Sequence, residues 1–407
     1  MNILFITPRL PYPPDQGNKI VIFNFIKFLS KKHKITLFSL IPNDESLKYV
    51  DELKKYCHRV ETVRMRPKWS MKNFIMAIYK TDPYTSIKYY SPLLMERLRK
   101  LLKEEKFDVI QAEFYYMAQY VLKLKPLIPP STATFLDTHN VEYFMYKEYY
   151  VNVRDPLLKI LMFFELSRMK KYEKFVLEHF DMCLALSQGD IDRIKLMAPK
   201  ANVVLQPMGV DIEACGSYAM KSKENSIIFF GTMSFFANYD GIKYFYNEIF
   251  PLIKKSIPKV ELIIAGGSPP PDIKALVSDP CVTVTGYVDD MKSLIARSSV
   301  VIVPLRVGGG IRLKIMESWA MGKAIVSTTV GATGLDFSDG KDILIADEPK
   351  DFAKKVVELL KNEELRNHLG KAAKFKAQTK YAWDKMVSSI EVEYEKALKE
   401  KKKNGNR

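Results

Sequence analysis

"SVVIVPLRVGGGIRLKIMESWAMGKAIVST", residues 299–328, sets an apolar run, three consecutive glycines, a helical pattern and a second apolar run in direct succession. The two apolar runs read as buried strands, and a helix between them is the crossover of a parallel sheet. Consecutive glycines at the strand-to-helix junction let the backbone take positive φ and bring its N–H groups close to a ligand. The helix start adds unpaired donors and a partial positive charge, which attract phosphate. Arg312 and Lys314 stand in that first turn, where cations oppose the macrodipole, a local inconsistency that marks a functional demand. Glu317 lies about 4.5 Å further along the axis than Lys314 and suits sugar hydroxyls better than phosphate. The plain structural alternative is a Lys314–Glu317 pair at i,i+3 beside glycines that only turn the chain.

The same alternation extends outward along the chain. NILFIT (2–7), ITLFSL (35–40), FDVIQAE (107–113), ATFLDT (133–138) and MCLALS (182–187) form a first strand series. SIIFFG (226–231), VELIIAGG (260–267), VTVTGY (282–287), SVVIVPL (299–305), KAIVST (323–328) and ILIAD (343–347) form a second. Helical patterns separate the strands, and the turn-rich LQPMGVDIEACGSYAMKSKENS from Leu205 onward separates the series. The fold expected is α/β, two Rossmann-like domains with parallel sheets facing across a cleft. Residues 1–208 make the first domain, 209–380 the second, 381–400 a closing helix that crosses back to the first, and 401–407 a basic tail. In open parallel sheets, ligands sit beyond the carboxyl ends of the strands. Gly231, Thr232, Gly266, Gly267, Gly286, Tyr287 and Gly308 to Gly310 stand at those ends.

Composition narrows the function class. The 407 residues, 47% apolar and 27% charged, are those of a globular protein with two cores. Four cysteines without ligand spacing point to reduced thiols, with neither a zinc site nor a disulfide framework. MNILFITP reads as a strand rather than a signal peptide, and the most apolar stretch, LLKILMFFEL (157–166), is broken by Lys159 and Glu165. The expected location is therefore cytoplasmic. The net charge of +16 is uneven: residues 1–200 hold 33 Lys and Arg against 22 Asp and Glu, whereas 201–350 hold 15 against 16. Residues 51–100 alone carry 12 against 5, mixed with aromatics and methionine, which suits an anionic membrane surface or another polyanion as well as a solvated face. Nucleic acid is disfavoured, because no reading motif accompanies the charge.

Other glycine-loop chemistries fit less well. A dinucleotide fingerprint needs a third glycine where Leu313 stands, and the phosphate-loop pattern fails because Lys323 is followed by Ala324. The Asp190–Asp192 pair in SQGDID follows Ser187 at capping-box spacing, so it is read as a helix start and not as a metal site.

The segment VPLRVGGGIRLKIMESWAMGKAIVSTTVGATGLDFSDGKDILIAD resembles the donor-binding signature of GT-B retaining glycosyltransferases of family GT4, the glycosyl transferases group 1. PRLPYPPDQGNKIVIFNFIKFLSKKHKITLFSL resembles that family's opening strand, glycine loop and helix, DTHNVEYFMYKEY its middle, QPMGVD its hinge and KYAWDKMVSSIEVEYEKAL its closing helix. The resemblance implies that Glu317 holds a nucleotide ribose and that Gly309, Gly310 and Ile311 bind donor sugar and phosphates through backbone N–H groups. It implies that Gly286, Tyr287 and Val288 touch the base, and that Gly231 and Thr232 line the diphosphate. From the first domain Gly17 would close over the phosphates and His139 would approach the reacting sugar. This sequence departs from the pattern twice: Gly309 replaces the first of two common glutamates, and GTMSFFANYDG lacks the usual cations, a charge that Arg312 and Lys314 can supply.

The function expected is transfer of a hexose from a nucleotide sugar, with retention, to a glycan or lipid-linked acceptor in cell-surface polysaccharide or glycoconjugate synthesis. No cofactor or metal is expected, and attachment is peripheral at the inner face of the cell membrane. The alternatives are a nucleotide-sugar epimerase of the same fold and a non-catalytic polyanion-binding protein.

Overall fold

A computed structural model of the chain describes residues 1–65, 82–153, 155–206, 208–218, 220, 222–308 and 312–405. Two units emerge: Met1–Pro207 together with Met386–Arg407, and Met208–Lys385.

In the first unit the strands are β1 (Asn2–Thr7), β2 (Lys34–Ile41), β3 (Arg59–Arg64), β4 (Val109–Glu113), β5 (Ala133–Asp137), β6 (Met182–Ala185) and β7 (Val203–Leu205). They form one parallel sheet in the order β3-β2-β1-β4-β5-β6-β7. Its central strands are buried almost throughout, as they must be when crossover helices cover both faces. Among those helices are α1 (Gly17–Leu29), α2 (Pro92–Glu104), α3 (Glu142–Asn152), α4 (Pro156–His179) and α5 (Gln188–Met197). The Ser187 hydroxyl accepts the Asp190 N–H and caps α5, as the SQGDID pattern leads one to expect.

The second unit repeats the scheme with β8 (Ser226–Phe230), β9 (Glu261–Ala265), β10 (Val282–Gly286), β11 (Val300–Val303), β12 (Ala324–Ser327) and β13 (Leu344–Ile345), parallel in the order β10-β9-β8-β11-β12-β13. Helices α6 (Phe236–Tyr244) and α7 (Leu313–Ala320) follow β8 and β11. The last helix, α8 (Trp383–Gly405), starts here, and from Met386 onward it belongs to the first unit.

All eleven strands expected from apolar runs are present, with ends moved by no more than two residues. β3 and β7 were not anticipated: RVETVR interleaves charges with its valines, and VVL is three residues long.

Strand order reverses between β1 and β4 in one sheet and between β8 and β11 in the other, the points where a crevice opens at the carboxyl edge. At the second crevice three strand ends are stitched by glycine. Gly231 donates to Ala265 O at 2.9 Å, Gly266 donates to Gly286 O at 2.9 Å, and the three glycines have φ of 141°, 139° and 69°. A Cβ built on Gly266 would lie 2.0 Å from Gly231 O, so no side chain fits between these backbones. Gly266→Ala is expected to destabilise the second unit by about 2–4 kcal/mol through backbone strain and overlap. Gly267→Ala, whose Cβ meets only Tyr287 at 4.0 Å, serves as the mild control in denaturant unfolding.

Candidate active site

The carboxyl edge of the second sheet is built around one lysine. Lys314 stands in the first turn of α7, and its ammonium donates to Asn238 Oδ1 of α6 at 2.9 Å. It lies 4.4 Å from the centre of the Phe229 ring, and a Cβ built on Gly231 would be 3.3 Å from its Nζ. Asn238 is fixed in turn by donating to Thr232 O at 2.9 Å. Among the described residues no carboxylate pairs with Lys314. Burial, reinforced by Arg312 and opposed by Glu317, pulls its ammonium down to about 7.

The neighbours of Lys314 complete the edge. Arg312 is the buried N-cap residue of α7, its guanidinium lies against Gly308, and burial lowers its affinity for the proton. Glu317 is half-buried on the next turn, and its side chain forms no hydrogen bond or ion pair among the described residues. Burial, opposed by Lys292 and Lys314, raises its carboxyl to about 6. The i,i+3 pair considered from the sequence is therefore not formed, because the ammonium turns to Asn238 instead. Tyr287 is 74% exposed beyond β10, Val288 is half-buried and Thr232 is exposed. Gly309, Gly310 and Ile311 lie outside the described residues, as does most of the basic aromatic stretch within 51–100.

In the first unit, His139 follows β5 with φ of 51°, a conformation uncommon outside glycine. Its backbone N–H donates to Asp137 Oδ1 at 3.1 Å, and Nε2 lies 2.7 Å from Glu113 Oε2 at the end of β4. Burial pushes the imidazole pKa down, but Asp137, the Glu113 hydrogen bond and the charges of Glu113 and Glu142 outweigh it and hold it above its ordinary value. Glu113 and Asp137 are each 1% exposed and His139 4%. Ligand atoms of the three lie within 4.8 Å of one another, a spacing that could hold a metal ion. The carboxylate oxygens are nevertheless occupied: Gln111 and His139 serve Glu113, while the His139 N–H and Gln206 serve Asp137. His139 Nδ1 has no partner among the described residues. Its ring stacks on Phe114 at 4.3 Å, Phe114 on Tyr116 at 5.2 Å, and Tyr116 on Tyr89 at 4.3 Å. Tyr89 lines a cavity of about 270 Å³ with Arg9, Tyr12, Lys19, Tyr49 and Lys88. Gly17 opens α1, and a Cβ there would meet nothing within 4 Å.

Residues 224–362 match the family described as glycosyl transferases group 1. The match falls within the second unit. Over its length the chain is similar to an uncharacterised 44.6 kDa protein of the cps region of Klebsiella pneumoniae, 22% identical over 95% of this chain and 98% of the relative. A 109-residue stretch is 34% identical to an uncharacterised glycosyltransferase of Methanocaldococcus jannaschii, over 26% of this chain and 30% of the relative. The crystal structure of Anabaena HepE in complex with UDP superposes with a TM-score of 0.68 at 13% identity, covering 97% of this chain and 100% of that one. The fold is GT-B, and the chain is a glycosyltransferase.

Of the residues singled out from sequence, this glycosyltransferase brings Gly231, Arg312 and Lys314 together at one strand edge, with Glu317 one turn further along α7. Gly286 to Val288 stand two strands away, and Gly17 and His139 belong to the other unit. Sequence reasoning missed Asn238 and Glu113. FDVIQAE showed an acid at the end of a buried strand, a signal that was available; Asn238 sits 76 residues before Lys314, in a helix with no pattern to mark it.

NMR of the imidazole ring is expected to place the His139 pKa above 6.5, and Glu113→Gln to lower it. Because the folded value is the raised one, the stability it contributes is present below pH 6.5 and lost as pH rises through the folded pKa. Glu113→Gln should flatten that dependence.

Proposed function

We propose that the chain is a retaining hexosyltransferase of family GT4 that takes a nucleotide sugar as donor, with the donor diphosphate over the β8 and β11 ends. One observation carries the reading: the Lys314 ammonium sits against Gly231, the position after β8 where the related pattern has its cations and this sequence has none. Cleaving a sugar–phosphate bond builds negative charge on the diphosphate. Fixed cations and N–H groups stabilise that charge where it develops, without requiring a metal. Arg312 and Lys314 take this role with the backbone of Gly309, Gly310 and Ile311, and Glu317 accepts from the ribose hydroxyls. Gly231 and Thr232 line the diphosphate, and Gly286, Tyr287 and Val288 meet the base. Gly17 and His139 take the phosphate- and sugar-contacting roles that the resemblance assigns them. Attack comes from the same face as departure, and the leaving phosphate accepts the acceptor's proton.

UDP is bound in the Anabaena protein, which supports a uridine nucleotide as the first probe. On the acceptor side, the tyrosine-walled cavity of the first unit offers stacking faces for a sugar, and Arg9 and Lys88 form no ion pair among the described residues. These features suit a glycan or lipid-linked acceptor that carries phosphate. The cps region of the Klebsiella relative supports a role in cell-surface polysaccharide synthesis.

Calorimetry of UDP binding across pH tests the reading. With Lys314 free at about 7 and returned toward its ordinary value by a bound diphosphate, affinity should fall by up to about tenfold per pH unit above 7. Lys314→Met should bind weakly and lose that dependence. Glu317→Ala should weaken UDP about 10–100-fold while heparin binding is unchanged; the reverse pattern favours a polyanion-binding protein.

A further inference from the structure

Large apolar side chains are concentrated in the open at one place on the first unit, the hairpin of α3 and α4. Leu158, Ile160, Leu161, Phe163 and Phe164 in the first turns of α4 are 42–58% exposed, and Tyr149 and Val151 at the end of α3 are 60% and 67% exposed. At 100° per residue the five α4 positions cover about 220° of the helix circumference. The remaining sector holds Lys159, whose ammonium lies 5.5 Å from the centre of the Tyr150 ring of α3. Among the described residues the start of α4 is thus covered by α3 on one side and carries apolar side chains around most of the rest, with the capping Asp155 exposed at its tip and Glu165 turned to the Tyr84 N–H at its margin.

The hairpin is nonetheless held firmly at its base. Glu173 of α4 is 1% exposed and accepts the N–H groups of Glu142 and Tyr143, so it caps α3 from the neighbouring helix. Glu165 accepts the Tyr84 N–H at 2.6 Å, which ties the middle of α4 down. These three bonds turn α4's first two acids inward, and Glu178 faces Lys174 at 3.9 Å, while Lys170 and Lys171 remain exposed on the flank. An apolar end with a cationic flank results.

A flat protein partner covers one side of a helix, leaving the rest of a 220° apolar surface in water. Hydrocarbon surrounds an inserted helix end on all sides, and anionic headgroups at the boundary meet the lysines. Apolar patches of this size on a soluble surface mark sites of contact. We propose that the end of the α3–α4 hairpin inserts into the surface of an anionic phospholipid bilayer. Among the described residues no helix is long and apolar enough to cross a membrane, so the attachment is interfacial. The proposal deepens the reading of a lipid-linked acceptor, but its test uses neither donor nor acceptor.

The full chain is sedimented with phosphatidylcholine vesicles, with and without phosphatidylglycerol. Binding is expected with the anionic vesicles, and the F163S/F164S double variant should lower the partition coefficient at least about tenfold. An unchanged far-ultraviolet circular dichroism spectrum and melting temperature without ligand show that the variant is folded, whatever the outcome for the donor reading. A second readout is Phe163→Trp: its emission, taken as the difference from wild type, should shift to the blue on anionic vesicles and be quenched by lipids brominated in the acyl chain. Absence of vesicle binding, or binding that the double variant leaves intact, overturns the proposal. So does a dimer in velocity sedimentation that F163S/F164S disperses and vesicles do not, which would make this face a contact between two copies.

Discussion

A half-buried ammonium without a carboxylate against it is a costly feature at the edge of the second sheet. Lys314 rests on the Phe229 ring, donates to one amide oxygen and is pulled from 10.5 to about 7, a displacement worth on the order of 5 kcal/mol. Well-packed apolar residues would serve the fold better at that position. Its surroundings instead preserve it: glycine at 231 leaves room beside Nζ, Asn238 is locked by Thr232 O, and Arg312, two residues earlier at the N-cap, adds a buried cation. A group so placed becomes favourable when an anion arrives, and the glycine-stitched ends of β8, β9 and β10 form the edge at which one can arrive.

The first unit solves the opposite problem. There two carboxylates are buried side by side, and the imidazole between them restores balance. Glu113 and Asp137 stand at equivalent ends of neighbouring parallel strands, paired in register, so the sheet itself forces them together. Each oxygen has a donor, and the chain of donors reaches α8, where the Tyr394 hydroxyl donates to Gln111. The seat of the C-terminal helix and the orientation of His139 thus belong to one hydrogen-bonded network. Removing any member leaves a buried polar group unsatisfied, which explains why an uncommon backbone conformation at residue 139 can persist.

How much of this could be read beforehand depended on the range of the interaction. Buried parallel strands announce themselves as short apolar runs, which is why eleven were placed from local pattern alone. β3 escaped because an edge strand carries charge on its open side, and β7 because three residues make no period. At the site, Lys314 and Arg312 were visible as a local conflict with the helix dipole, and Glu317 as a carboxylate one turn further along. Where the ammonium goes was not: the sequence offered Glu317 at i+3, and the fold delivered Asn238 from another helix. His139 drew notice by its place at a strand end, yet its partner Glu113 comes from the adjacent strand, 26 residues earlier. Tertiary contacts of that kind leave no trace in spacing.

The most direct measurement is a crystal structure of the chain with UDP bound. The account expects the diphosphate within hydrogen-bonding distance of Lys314 Nζ and the Arg312 guanidinium, with the ribose hydroxyls on Glu317. Nucleotide density seated elsewhere, with Lys314 still bonded only to Asn238, would contradict it.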